Sequence, residues 1–552
     1  MFTTLILLAL AGSIMATPPS LRNARSYDQP STPKPVLNWG DCDPGLVITA
    51  QKLGLTTKAF CANMTVPLDY TDTESNRTHT VEVVKVAARV EKPRGSIILN
   101  FGGPGGNGVQ TLLTSPWYMN ATGGEHDLIS FEPRGTSQHF LRASCFDSPV
   151  ERRFSQQSNP ARHLLSESKD EKTVTTAWEH AGASAKAFAD VCASTLENVG
   201  PYLGTAFTAR DIMSIVDGLG EEKLNYWGIS YGTVLGATLA GMFPGRMGRL
   251  VLDAVATPTK YYNSFYGPEN YEAIDTLFKA MLEACVKAGP EGCPLASGNS
   301  TADALEQQVF DLFDSLKTQP LVWAGELVDF TQPSAGTYLD DTALRGWTIS
   351  ISYNPMNYHI LLAAIAGLLD GNVAAAVGAR ALAESSTEAV QGEALPAIYC
   401  SDRLSVRDPR PETARASAAA LKNVTKIGSM GIESMQLSTR CAHWKFDAKE
   451  HYRGSFDLDT SENPFLILGN TYDPVTPLSS AQRLASNWDG SVLVQLDGFG
   501  HGTASHPSKC IEKIVTSYFQ DGDLPDADTV CEPDESLADI ITSSWQAVKD
   551  QI

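Results

Sequence analysis

Apolar residues in this chain gather in short runs that end at glycine, proline or aspartate. Four of them, "HTVEVVKVAARV" from His79, "GSIILNF" from Gly95, "HDLISFEPRG" from His126 and "KLNYWGIS" from Lys223, have the length of strands bounded by turn residues. Helix-like stretches alternate with them. In "TARDIMSIVDGLG", Thr208 and Asp211 stand three apart, the spacing of a capping box that opens an amphipathic helix, and the pattern closes at glycine. After "GIS" comes "YGTVLGATLAGMF", small and apolar on most faces, and then a fifth strand, "GRLVLDAV". Strand, helix and strand in this order predict an α/β fold with a mainly parallel sheet.

From about residue 260 to about residue 460 the alternation stops. Ala- and Leu-rich stretches such as "IDTLFKAMLEAC", "YHILLAAIAGLLDG" and "NVAAAVGARALAE" take over, and they read as helices. Strand and helix patterns return with "PFLILGNTYDP", "PLSSAQRLASNW", "GSVLVQLDGFGHG" and "KCIEKIVTSYFQDG". The expected organisation is a leader over 1–16, an α/β core in two parts over 17–259 and 461–552, and a mainly helical insertion over 260–460. No internal repeat is visible.

Composition narrows the class of protein without choosing a chemistry. The chain has 552 residues, 43% hydrophobic and 19% charged, as globular proteins do. Its 63 acidic against 42 basic residues give a formal charge of −21, which repels nucleic acid and anionic membrane surfaces, so neither is an expected partner. The N-terminal "MFTTLILLALAGSIMA" is apolar, too short to span a bilayer and closed by a small residue. It reads as a signal peptide with Thr17 as the mature start, although no Lys or Arg opens it. Ten cysteines without a C-x-x-C motif fit an oxidising compartment. Proximity along the chain suggests the pairs Cys42–Cys61, Cys145–Cys192, Cys285–Cys293, Cys400–Cys441 and Cys510–Cys531. Sequons at Asn63, Asn76, Asn120, Asn299 and Asn423 are candidate glycosylation sites. A secreted, extracellular monomer is the expectation.

Chemistry enters with "GISYG", Gly228 to Gly232, which places G-x-S-x-G between a strand and a small-residue helix. In that position Ser230 sits in a sharp turn, where small neighbours let the backbone fold back and expose its hydroxyl above the sheet. A nucleophilic serine needs a base and an orienting acid, which in such folds follow it in the order Asp, then His. The strand "FLILGNTYDP" ends in Asp473, and "SVLVQLDGFGHG" ends in His501, 28 residues further on. Asp253, at the end of "RLVLD", is a rival acid that could instead bind loop backbone at the sheet edge, and His506 is a rival base.

"NFGGPGGNG", Asn100 to Gly108, allows two readings. As Gly103-Pro-Gly105-Gly-Asn-Gly108 it fits the dinucleotide fingerprint G-x-G-x-x-G, with Glu132 lying 24 residues beyond. As a glycine loop after a strand it offers backbone N–H groups to an oxyanion. Pro104 lacks an N–H where a pyrophosphate cradle wants one, which favours the oxyanion, with Gly103 and Tyr231 as candidate donors.

These segments, with "FEPRGTS", "TARDIMSIVDGLGEEKLNYWGISYGTVLGATLAGMFPGRMGRLVLD", "LILGNTYDPVTP" and "GFGHGT", resemble the secreted tripeptidyl aminopeptidase group of α/β-hydrolases, relatives of prolyl aminopeptidases. The resemblance covers roughly residues 80 to 260 and 395 to 535. It implies an α/β-hydrolase fold with a helical cap, Ser230 as nucleophile, Asp473 and His501 as its partners, and the glycine loop as part of an oxyanion hole. The family typically has Asp where this chain has Glu132, Ser for Asn107 and Gly for Ala254.

The activity implied is a serine exopeptidase that releases short peptides from free N-termini, without metal or cofactor. An esterase or lactonase acting on a small acyl substrate would use the same triad, because fold does not fix function. A non-catalytic binder of the same shape would be expected to lack a triad member, and all three are present. Glu326, Asp340 and Asp341 are candidates to bind a substrate ammonium, although "YLDDTALRGW" also reads as a solvated helix start.

Overall fold

The sheet strands follow one another in sequence as β1 (Gly40–Asp41), β2 (Ala59–Pro67), β3 (Thr78–Val86), β4 (Ser96–Asn100), β5 (Asp127–Phe131), β6 (Leu224–Ile229) and β7 (Met247–Asp253). A short antiparallel hairpin, β8 (Leu321–Trp323) and β9 (Thr337–Leu339), stands apart, and the sheet resumes with β10 (Leu466–Tyr472), β11 (Val492–Phe499) and β12 (Val530–Cys531). The structure, a computed structural model, describes residues 35–550 except 138, 149, 153–154, 156–169, 265–266, 324–336, 374–392, 404–407, 409, 429–431 and 461–462. The proposed leader and Glu326 therefore lie outside the described residues.

Ten strands form one sheet in the order β1-β2-β3-β5-β4-β6-β7-β10-β11-β12. Every pairing from β5 to β12 is parallel, and β1, β2 and β3 add an antiparallel edge. The seven runs read as strands from their apolar pattern correspond to β3, β4, β5, β6, β7, β10 and β11. Central strands are buried on both faces, as all five residues of β4 are, so they appear in sequence as continuous apolar runs. In β2, buried Met64 and Val66 alternate with exposed Asn63 and Thr65, which is the half-solvated pattern of an outer antiparallel strand.

Helix α1 (Thr205–Leu219) precedes β6, and α2 (Tyr231–Met242) follows it. The capping box expected at Thr208 is not a helix start. Gly204 is the N-cap, α1 begins three residues earlier, and its residues from Thr205 to Val216 are buried. Asp211 instead meets Arg134 of "FEPRG" through two hydrogen bonds of 2.5 and 2.8 Å, both groups being buried. Removing either partner would strand a charge, at about 3–5 kcal/mol. The closing glycine is as expected, with Gly220 in the left-handed region.

Between β7 and β10 the chain is mainly helical. Helices α3 (Ile274–Gly292), α4 (Ala302–Thr318), α5 (Asp341–Ile351) and α6 (Tyr358–Leu369) share an apolar core built from residues such as Phe278, Phe313 and Leu362, which Leu537 and Ile541 of the last helix, Leu537–Lys549, also enter. Helix α7 (Ala394–Asp402) packs differently, since Ala397, Ile398 and Tyr399 belong to the core beneath the sheet. The five disulfides pair as proximity suggested, and the five sequon asparagines are exposed. No helix among the described residues is long and apolar enough to cross a membrane.

Candidate active site

Ser230 occupies the turn between β6 and α2 with φ 59° and ψ −125°, a conformation that costs a non-glycine residue about 1–3 kcal/mol. Its neighbours explain how the turn closes. A Cβ on Gly228 would come within 2.2 Å of the Gly232 carbonyl oxygen, and one on Gly232 within 2.4 Å of the Asn100 oxygen. Only glycine fits either position. The turn is fastened by Ser230 N–H donating to the Asp253 carbonyl at 3.0 Å, and by Thr233, whose hydroxyl donates to the Ser230 carbonyl at 2.6 Å.

His501 lies in the loop after β11, and its Nδ1 stands 3.0 and 3.1 Å from the two carboxylate oxygens of Asp473. Asp473 is fully buried and also accepts from the N–H groups of Val475, Thr476 and Gly502. Burial opposes charging of His501, but the Coulombic pull of Asp473 and its hydrogen bond, helped by Asp253, lift the imidazole above its ordinary value. The Thr476 hydroxyl also lies 3.1 Å from Nδ1. An acid-held imidazole and a serine set in a strained strand-to-helix turn are the parts that general-base activation of a hydroxyl requires.

The rival residues have other partners. Asp253, buried at the end of β7, accepts from Thr503 N–H at 3.0 Å and from the Thr503 hydroxyl at 2.6 Å, which is the loop-binding alternative. Burial pushes its carboxyl up to about 6. His506 is fixed by Phe499 N–H at 3.2 Å and by the Glu535 carbonyl at 2.8 Å from its other ring nitrogen, and burial lowers its pKa. Ala254 has φ 57°, a left-handed position where glycine carries no steric penalty.

The glycine loop lies against the serine turn. A Cβ on Gly102 would meet the Ile229 carbonyl oxygen at 2.6 Å, the Ser230 Cβ at 2.8 Å and the Tyr231 nitrogen at 3.0 Å, so the loop touches the turn backbone to backbone. Gly102 N–H donates to the Asn100 side chain at 3.1 Å, and Gly106 N–H to the Gly102 carbonyl at 3.0 Å. The Gly102 N–H is thereby engaged within the loop. Asn107 caps the helix Gly108–Thr114 by accepting from Gln110 N–H at 2.7 Å. Glu132 is buried beside the same helix and accepts from Val109 N–H at 3.1 Å and the Thr136 hydroxyl at 2.8 Å; burial raises its carboxyl to about 7.

Two parts of the insertion reach these loops. The Tyr353 carbonyl accepts from His501 N–H at 2.8 Å, and the Tyr353 ring meets the imidazole edge-on with centroids 4.8 Å apart. Asp402, at the end of α7, accepts from Thr205 N–H at 2.8 Å, the Thr205 hydroxyl at 2.6 Å and the Tyr261 hydroxyl at 2.9 Å, while the Tyr231 hydroxyl bonds the Thr205 oxygen. Asp340 and Asp341 each have a partner on their own helix. Asp340 caps α5 at Ala343 N–H, 2.8 Å away, and Asp341 faces Arg345 at 3.4 Å. The helix start is as read, but both carboxylates are buried rather than solvated.

The model for the alpha/beta hydrolase fold matches residues 130–275, which include β6, the serine turn and β7. The chain has the α/β-hydrolase fold. A second model, described as TAP-like protein, matches residues 428–531, which contain Asp473 and His501. The hydrolase is 26% identical to the tripeptidyl aminopeptidase of Streptomyces coelicolor over 512 residues, covering 90% of this chain and 86% of that one. It is 27% identical to serine protease Hip1 of Mycobacterium tuberculosis over 496 residues, covering 86% and 87%. Carboxylesterase B of Mycobacterium tuberculosis matches at 25% over 550 residues, covering 95% and 96%. The hydrolase is therefore a serine hydrolase similar to tripeptidyl aminopeptidases.

Sequence reasoning missed Thr476, Thr503, Asn470, Tyr353 and Asp402. Asn470, three residues before Asp473, donates to the carbonyls of Gly500 and Gly502 at 2.9 and 2.8 Å. A polar residue directly after the apolar run Leu466–Leu468 and Gly469 was the one signal available for it.

Proposed function

We propose that this hydrolase is a secreted exopeptidase that releases short peptides from free N-termini through an acyl-enzyme on Ser230. The observation that carries the reading is the pairing of His501 with buried Asp473 in a chain that also holds half-buried Ser230 in a strained turn. The Ser230 hydroxyl oxygen attacks the scissile carbonyl and its proton passes to His501. Asp473 holds the tautomer and stabilises the imidazolium. Gly103 and Tyr231 N–H groups receive the oxyanion, each worth roughly 3 kcal/mol of barrier. The C–N bond then breaks as His501 protonates the leaving amine, and water repeats the sequence to free the acyl peptide. Residues 260–460 act as a cap that admits chain ends. Five disulfides and exposed Asn63, Asn76, Asn120, Asn299 and Asn423 support export and N-glycosylation.

Peptides with free and acetylated N-termini test the exopeptidase mode. A buried terminal ammonium needs a paired carboxylate, so acetylation is expected to lower kcat/KM by about 100-fold or more. Equal cleavage of both forms, or faster turnover of simple esters than of any peptide, would favour the esterase reading, which the similarity to Carboxylesterase B supports.

A further inference from the structure

The four N–H groups from Gly500 to Thr503 each donate to a different part of the molecule. Gly500 N–H donates to the Tyr472 carbonyl at 3.0 Å, His501 N–H to Tyr353, Gly502 N–H to Asp473 and Thr503 N–H to Asp253. Asp253 differs from the other holders in touching both sides of the site. Its carbonyl accepts from Ser230 N–H at 3.0 Å, while its carboxylate takes both the N–H and the hydroxyl of Thr503, two residues beyond His501. The gap it bridges is small. A Cβ on Gly502 would lie 3.4 Å from the Ile229 side chain and 3.7 Å from an Asp253 carboxylate oxygen.

We propose that Asp253 is a positioning residue that sets the separation between Ser230 and His501, fixing the serine turn through its backbone and the histidine loop through the Thr503 hydroxyl and N–H. A displacement of one ångström between reacting groups can cost about 100-fold in rate, so a clamp of this kind shows itself in kcat rather than in substrate affinity. The proposal rests on the triad reading above. It assigns Asp253 no contact with substrate or with the imidazole ring.

The test compares Thr503→Val, which removes the hydroxyl donor and keeps the N–H, with Thr503→Ser, which restores the donor. Asp253→Asn serves as a second variant that keeps the backbone carbonyl and weakens the acceptor. Thr503→Val and Asp253→Asn are expected to lower kcat about tenfold, and the rate of Ser230 modification by a fluorophosphonate by the same factor, with KM within about twofold of the parent. Thr503→Ser is expected to recover at least about half of the lost rate. The positioning role is overturned if Thr503→Val and Asp253→Asn keep parental kcat and labelling rate, or if Thr503→Ser recovers nothing. A parent enzyme that turns over substrate but is not labelled at Ser230 overturns the triad reading instead, so the two failures are distinguishable.

Discussion

Neighbouring strands β7 and β10 lead to the same residue type, β7 ending in Asp253 and β10 being followed by Asp473. The two strands pair in parallel with Leu468 opposite Asp253, both aspartates are fully buried, and both bind the loop after β11. Asp473 meets the ring of His501, whereas Asp253 meets only the backbone and hydroxyl of Thr503. The difference arises beyond the strands. After Asp473 the chain turns so that Val475 and Thr476 N–H groups and the ring nitrogen all face one carboxylate. After Asp253 the chain enters the left-handed position at Ala254, and the carboxylate is left to the neighbouring loop. Strand position therefore nominates an acid, and the geometry of the following turn decides its task.

The largest effect that could break this comparison is on turnover. Asp473→Asn is expected to lower kcat by about 10⁴-fold because the imidazole tautomer is no longer held, against about tenfold for Asp253→Asn. Steady-state kinetics on both variants, with melting curves as a folding control, decide it. A deeper loss in Asp253→Asn at unchanged melting temperature would exchange the two roles.

The pH profile sharpens the same contrast. Activity needs neutral His501, and its pKa is raised, so the acid limb of kcat/KM is expected above 6.5. Asp253 contributes least among the groups named for that rise, so Asp253→Asn is expected to move the limb only slightly downward. A limb well below 6.5 in the parent enzyme would mean that Asp473 does not govern the imidazole. For stability the sign is the same as for any raised base. The contribution of the ion pair is complete below 6.5 and is lost as pH rises through the folded value.

A smaller effect concerns the residue that follows β5. Burial holds the Glu132 carboxyl at about 7, so the folded state favours its protonated form and loses stability as pH rises from about 4.5 to about 7. Glu132→Gln keeps an acceptor for Val109 N–H and carries no charge. It is expected to be close to parental near pH 4.5 and more stable by about 3 kcal/mol at pH 8. Denaturant melts at the two pH values give the comparison, and a penalty that grows with pH would contradict the burial argument.

The sequence made the centre of the molecule readable because its strands are buried on both faces and present unbroken apolar runs. The outer strands escaped notice for the opposite reason. In β2 only every second residue is apolar over part of its length, and β1 and β12 are two residues long. Ser230, Asp473 and His501 could be nominated from sequence because each ends or follows a strong strand and two are flanked by glycine or proline. Their supports were not. Asp253 and Thr503 are 250 residues apart, Asp402 and Thr205 197 apart, and Asp211 and Arg134 77 apart, so no local pattern announces the contact. Thr208 and Asp211 show how a local pattern can mislead when a long-range ion pair claims the acid.

The most direct test of the proposed triad is mass-spectrometric mapping of a fluorophosphonate adduct on the parent enzyme and on Asp473→Asn. The expected result is a single adduct on the peptide containing Ser230, formed far more slowly in the variant. An adduct on another serine, or labelling of Ser230 at an unchanged rate in Asp473→Asn, would contradict the assignment of Asp473 and His501 as the groups that activate Ser230.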